Sequence, residues 1–133
     1  SSLLNNLKIF FCIGETLKEK KEKKTKIVLR NQIKKGLLNI KNFKNIIIAY
    51  EPVWSIGTGI VPKQEELTDN ILFIKKILKE NFNKNSIKIL YGGSVNSKNI
   101  EDLSQITQID GFLIGGASQN QNKFIDIIKK SFN

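Results

Sequence analysis

The run Ile46-Ile47-Ile48-Ala49-Tyr50, cut off by Glu51-Pro52, constrains the fold of this chain more than any other stretch. Its apolar residues do not alternate with polar ones, which suits a strand covered on both faces, as in a parallel sheet. Pro52 has no backbone donor and pushes its predecessor toward extended geometry, so the ladder ends with Glu51 at its last position. In open α/β sheets and α/β barrels, ligands bind at the carboxyl ends of the strands. An apolar stretch follows, Val53-Trp54-Ser55-Ile56, and then Gly57-Thr58-Gly59. The pattern is a carboxylate on a rigid element, followed by an apolar loop whose glycines can serve as a hinge. On residue types alone, a strand-end glutamate facing water beside ordinary turn glycines is the commoner case.

The remaining segments repeat one unit. Lys8–Ile13 (KIFFCI) is a second unalternating run and so a second buried strand; Gly14-Glu15 ends it, and Thr16 is a fair helix cap. Residues 18–26 carry mixed charge with no apolar stripe, which fits a solvated turn or loop. From Ile27 a helical period begins, with Leu29, Ile33, Leu37 and Ile40 on one face. Gly36 within it costs about 1 kcal/mol against alanine. Pro62 stands where a first helical turn should start, and Leu67, Ile71, Ile74 and Leu78 form the next stripe. Asn81–Ser86 reads as a polar loop, Ile87–Tyr91 as a third strand ended by Gly92-Gly93-Ser94, and residues 96–104 as a short helix. Gly111–Ile114 is a fourth strand, ended by Gly115-Gly116-Ala117-Ser118, and Phe124, Ile128 and Phe132 line a final helix.

Strand and helix thus alternate four times with no linker, which implies an α/β fold of parallel strands joined by right-handed crossovers. Four such βα units make either a small open sheet or half of an eight-stranded barrel, whose usual size is about 250 residues. A free half-barrel leaves Lys8–Ile13 and Gly111–Ile114 with unpaired edges, neither shielded by proline or dense charge. The chain reads as incomplete.

Composition narrows the partners. The net charge of +10 suggests nucleic acid. Against that, Arg30 is the only arginine, and base edges are usually read by arginine. Lysine, asparagine and isoleucine abound together, as an AT-rich coding sequence would impose, so no nucleic-acid partner is expected. Cys12 is the single cysteine and histidine is absent, which leaves no internal disulfide and no expected metal site. Cys12 itself is expected to be a small buried hydrophobe. No apolar run is long enough to span a bilayer, and the opening SSLLNNLK lacks a basic segment followed by an apolar one. No membrane partner and a cytoplasmic location are the expectations.

Every strand ends in groups able to handle an anion or a proton: Gly14-Glu15, Glu51, Gly92-Gly93-Ser94 and Gly115-Gly116. Two successive strand–Gly-Gly–helix units let backbone approach a ligand while a helix N-terminus faces it, which suits phosphate. In barrels the common phosphate site lies in the loops after strands seven and eight.

The motifs CIGETL (12–17), AYEPVWSIGTG (49–59), YGGSV (91–95) and DGFLIGGAS (110–118) resemble, in order and approximate spacing, those of the triosephosphate isomerase family. The resemblance covers essentially the whole chain. It implies that residues 1–133 are a single partial domain, strands five to eight of a TIM (β/α)8 barrel. It further implies interconversion of dihydroxyacetone phosphate and glyceraldehyde 3-phosphate, in glycolysis and gluconeogenesis, without a cofactor. By resemblance, Glu51 is the base that moves a proton between two carbons of the triose phosphate. Gly57, in a lid that includes Thr58, gives an N–H to the substrate phosphate, which Ser94 and the Gly115 and Gly116 amides hold from the other side. Trp54 matches the lid's first hinge, Glu15 the acid near that tryptophan, and Tyr91 a residue that latches the closed lid. The family also uses a lysine and a histidine from an N-terminal half-barrel that has no counterpart here, and it is normally homodimeric. Two copies of this chain would duplicate the base without supplying a histidine, so the chain alone is expected to be inactive or nearly so. The alternative is a non-catalytic half-barrel that binds phosphate.

Overall fold

The computed structural model describes residues 8–97, 99–114 and 125–128. The chain begins with β1 (Ile9–Ile13), the short helix α1 (Leu17–Lys21) and α2 (Thr25–Leu37), followed by β2 (Ile46–Tyr50). Val53–Ser55 forms a single 3₁₀ turn, after which come α3 (Gln64–Phe82), β3 (Ile89–Tyr91), α4 (Ile100–Ser104), β4 (Gly111–Ile114) and β5 (Ile125–Ile128). The sheet order follows the sequence, β1-β2-β3-β4-β5. The first four strands are parallel, with Ile13 opposite Tyr50, Tyr50 opposite Tyr91, and Tyr91 opposite Phe112. The architecture is therefore α/β, built of four parallel strands alternating with helices.

Strand alternation divides the apolar residues between two faces. Ile13, Ile46, Ile48, Tyr50, Ile89, Tyr91 and Phe112 pack against the stripes of α2 (Leu29, Ile33, Leu37) and α3 (Leu67, Ile71, Ile74, Ile77, Leu78). Ile47, Ala49, Leu90 and Leu113, with Phe10 beside them, form a smaller cluster on the other face. All five residues of β2 are buried, as an unalternating run requires. The edge strand β1 is covered less: Ile9 is exposed and, of its five residues, only Ile13 is fully buried.

Several boundaries differ from the sequence expectation for local reasons. Thr16 caps α1 with a full capping box, its side chain accepting from the Glu19 N–H while Glu19 accepts from the Thr16 N–H. α3 starts at Gln64, so Pro62 precedes the first turn instead of opening it. The same helix runs on through Asn81 and Phe82 and stops where Asn83 adopts a left-handed conformation, φ 56°. α4 begins only at Ile100, and Ile40 lies beyond α2. Gly36 of α2 is where the Phe11 ring seats: a Cβ there would lie 2.1 Å from the ring.

Two expectations are overturned. Cys12 is exposed, because in edge strand β1 it alternates away from the helix-covered face. A final helix is predicted through Ile128, yet Ile125–Ile128 is a strand, antiparallel to β4, with Gly111 opposite Ile128 and Ile114 opposite Ile125. Three of its four residues are β-branched and suit a strand, and pairing satisfies the edge of β4 that four parallel strands alone would leave open. Phe124 and Phe132 lie outside the described residues.

Candidate functional site at the carboxyl ends of the strands

One residue beyond the row Ile13–Tyr50–Tyr91, the ladder places Gly14, Glu51 and Gly92 side by side. The Glu51 N–H donates to the Ile13 carbonyl at 2.7 Å, and the Gly92 N–H donates to the Tyr50 carbonyl at 2.9 Å. Both flanking glycines are required by what Glu51 occupies. A Cβ on Gly14 would meet the Glu51 carbonyl oxygen at 1.9 Å, and one on Gly92 would meet Glu51 Cγ at 2.5 Å. Glu51 therefore sits in a slot that only side-chain-free neighbours leave open.

Glu51 is 5% exposed, and its Oε2 is buried with no hydrogen-bond partner among the described residues. A buried, unpartnered carboxylate oxygen costs free energy, and its best relief is a proton. Burial accordingly raises the Glu51 pKa above the usual carboxylate value, while a hydrogen bond from the Cys12 thiol pulls it down. The same contact acts on Cys12, pushed up to about 12 by partial burial first and by the Glu51 charge and hydrogen bond next. Both groups line a cavity of about 480 Å³ with Ile13, Gly14, Gln32, Val53 and Ile56. Gln32 reaches from α2 to bracket Gly14, accepting from its N–H at 2.9 Å and donating to its carbonyl at 3.1 Å.

The loop after Glu51 is fastened at both ends. At its start, Trp54 Nε1 donates to Glu15 Oε2 at 2.9 Å, with the Lys20 ammonium 5.1 Å above the indole. At its far end, the Gly59 N–H donates to Ser94 Oγ at 2.9 Å, and Ser94 Oγ donates to the Ser55 carbonyl. Ser55 Oγ uses its full capacity: it donates to the Ile60 carbonyl, accepts the Ser94 N–H at 3.1 Å and so takes the Tyr91 hydroxyl, 2.9 Å away, as a donor. Burial raises the Tyr91 hydroxyl to about 12, so it keeps that proton at neutral pH. Gly57 (φ 69°) and Gly59 (φ 77°) adopt backbone conformations that other residues resist, and Thr58 Oγ1 donates to the Trp54 carbonyl at 3.1 Å. The loop is thus shut over the strand ends.

Of the residues singled out from the sequence, Glu15, Glu51, Trp54, Gly57, Thr58, Tyr91 and Ser94 converge on this rim. Gly115 and Gly116 lie outside the described residues. Sequence reading passed over Tyr50, Ser55, Asn70 and Gln32. Asn70 alone left a signal, as an amide on the otherwise apolar stripe of α3. Among the described residues no cluster of acidic, cysteine or histidine side chains could hold a metal, and no helix is long and apolar enough to cross a membrane.

Parallel βα units with their polar groups gathered at the carboxyl ends of the strands define an α/β chain of the class that open sheets and barrels share. A family model described as triosephosphate isomerase matches residues 1–131. The chain is 46% identical over 125 residues to the triosephosphate isomerase of Thermodesulfovibrio yellowstonii, covering 92% of this chain and 51% of that protein. It is 43% identical to that of Yarrowia lipolytica and 44% identical to that of Mycoplasma mobile, covering 96% of this chain in each case and 52% and 51% of those proteins. The chain belongs to the triosephosphate isomerase family. It spans about half the length of the curated relatives it matches.

Proposed function

We propose that this chain is the C-terminal half-barrel of a triosephosphate isomerase, a single partial domain that carries the base, the lid and one side of the phosphate site. Glu51 takes a proton from the carbon next to the carbonyl of dihydroxyacetone phosphate and returns it to the neighbouring carbon through an enediolate. A positioned base contributes about 10²–10⁴ in rate. The observation that carries this reading is the Glu51 carboxyl itself. Glu51 is 5% exposed at a strand end, one of its carboxyl oxygens is unpartnered, its side chain lies against Gly92 of the Gly92-Gly93-Ser94 turn, and Val53 and Ile56 of the following loop line the same cavity. Partial desolvation keeps the carboxylate basic enough to accept a carbon-bound proton.

The phosphate does not react; its binding energy holds the lid shut, which keeps water from the intermediate. Gly57 of the lid, Gly115 and Gly116 are proposed phosphate contacts, and Ser94 is proposed to join them by exchanging its bonds to Ser55 for the phosphate. Trp54 and Glu15 fix the lid's start, and Tyr91 latches its middle through Ser55. The lysine and histidine that the family places on its N-terminal strands are proposed to come from the other half of the barrel, where they stabilise charge on the substrate oxygens. A homodimer of whole barrels and action in glycolysis and gluconeogenesis in the cytoplasm complete the proposal.

The test is an isomerisation assay with dihydroxyacetone phosphate, with and without a supplied N-terminal half-barrel. Turnover is expected only with the complement. Phosphate binding without turnover in either case would overturn the proposal in favour of a non-catalytic binding module.

A further inference from the structure

Helix α3 presents an apolar face to the sheet, with one exception. Asn70 is 4% exposed among Leu67, Ile71 and Ile74, which are fully buried. A primary amide placed there loses its hydration and must recover it from the protein. Its Nδ2 donates to the Tyr50 hydroxyl at 3.1 Å. Tyr50 in turn donates to Glu15 Oε1 at 2.8 Å, and Glu15 Oε2 accepts from Trp54 Nε1 at 2.9 Å.

The direction of these bonds is fixed by donor counting. A tyrosine hydroxyl has one hydrogen; with the Asn70 amide donating to its oxygen, that hydrogen must go to Glu15. Glu15 is 0% exposed, so its two oxygens find no water and depend on Tyr50 and Trp54. Burial raises the Tyr50 hydroxyl well above its ordinary value, and the Glu15 charge adds to that, so the hydroxyl keeps the proton it donates to Glu15 while its oxygen accepts from Asn70. The geometry points to Asn70 as a positioning residue for the lid: through Tyr50 it orients Glu15 to receive Trp54, and so sets the angle at which the loop leaves β2. The relay stands on side chains outside the Glu51 pocket; only the claim that the loop covers a reacting substrate rests on the isomerase reading above.

Trp54 is the chain's single tryptophan, so its emission reports this indole alone. Asn70→Leu keeps the volume and removes the donor; Tyr50→Phe removes the intermediary hydroxyl. Acrylamide quenching of Trp54 is expected to rise by about fivefold at most in either variant, the scale of one hydrogen bond, with far-UV circular dichroism unchanged. The double variant should quench no more than Tyr50→Phe alone, because Asn70 then has nothing to act through. Unchanged quenching in Asn70→Leu, or additive increases in the double variant, would overturn the relay. If Asn70→Leu does not fold, Asn70→Ala, which removes the amide without adding any other donor, decides by the same criterion. With the N-terminal half supplied, Asn70→Leu should lower kcat about fivefold and leave KM for dihydroxyacetone phosphate within about twofold. A rise in KM at constant kcat counts against the relay. Absence of turnover in the unmodified protein would instead sink the isomerase reading, while the quenching measurement would still decide the role of Asn70.

Discussion

The two rims of the sheet carry polar groups under opposite conditions. At the carboxyl rim, Glu15, Glu51, Ser55, Asn70 and Ser94 are buried, and most of their side-chain atoms are committed to named partners. At the amino rim, Lys8, Lys41, Lys44 and Lys88 stand exposed around a cleft of about 590 Å³. There Asp110 ties β3 to the start of β4, its Oδ2 accepting the Ile89 N–H at 2.8 Å and its N–H donating to the Ile89 carbonyl at 2.9 Å. Burying a polar group is costly unless it is bonded, whereas a solvated lysine costs almost nothing to place. The rim that accepts this cost is where a selected task is to be sought first, ahead of the basic rim.

Substitutions can break that contrast. The largest effect is expected at Glu51. Glu51→Asp retracts the carboxyl by one methylene within the slot between Gly14 and Gly92, and turnover of the completed barrel should fall by about 10²-fold or more with little change in KM. Equal turnover would remove Glu51 as the base.

A smaller effect of opposite sign is expected in stability. Burial raises the Glu51 pKa from its ordinary 4.5, so the folded carboxyl holds its proton at a pH where the unfolded chain has released it. The folded state then binds more protons, and stability falls as pH rises through the window between the ordinary and raised values and stays lower above it. Glu51→Gln removes the buried charge, so it should melt at a higher temperature than the unmodified chain at pH 7, and the difference should shrink as the pH falls toward the ordinary carboxylate range. A lower melting temperature at pH 7 would mean that the carboxylate is well solvated or paired.

The smallest effect belongs to the other rim. Lys44→Glu should change stability by no more than about 0.5 kcal/mol and leave turnover unchanged. A tenfold loss of activity there would show that the basic cleft takes part in function, and the contrast between rims would fail.

The strand frame and the carboxyl rim were readable in the sequence to very different degrees. Ile46–Tyr50 was bounded correctly because an unalternating run and a proline are both local signals. Gly111–Ile114 was found for a similar reason, between turn residues. By contrast, the exposure of Cys12 depends on β1 being an edge, which no window of its own sequence reveals. The end of α3 depended on a left-handed Asn83 that a polar composition disguised as loop. Ile125–Ile128 responds to a vacant strand edge elsewhere in the sheet, so spacing alone mistook it for helix. The rim's bonding is likewise tertiary. Glu15 and Trp54 are 39 residues apart, as are Ser55 and Ser94, and only the parallel ladder brings them together.

Gly36 shows how a local optimum can be refused. By helix propensity alone, alanine at this position would be the favoured choice in α2, and a sequence-averaging stabilisation scheme would select it. The Phe11 ring already fills the volume that a methyl group would need, 2.1 Å from its position. The pair is therefore one close contact between β1 and its helix: enlarging the glycine requires the aromatic ring to shift or to be trimmed in the same step, and the two positions are expected to drift through time as a couple.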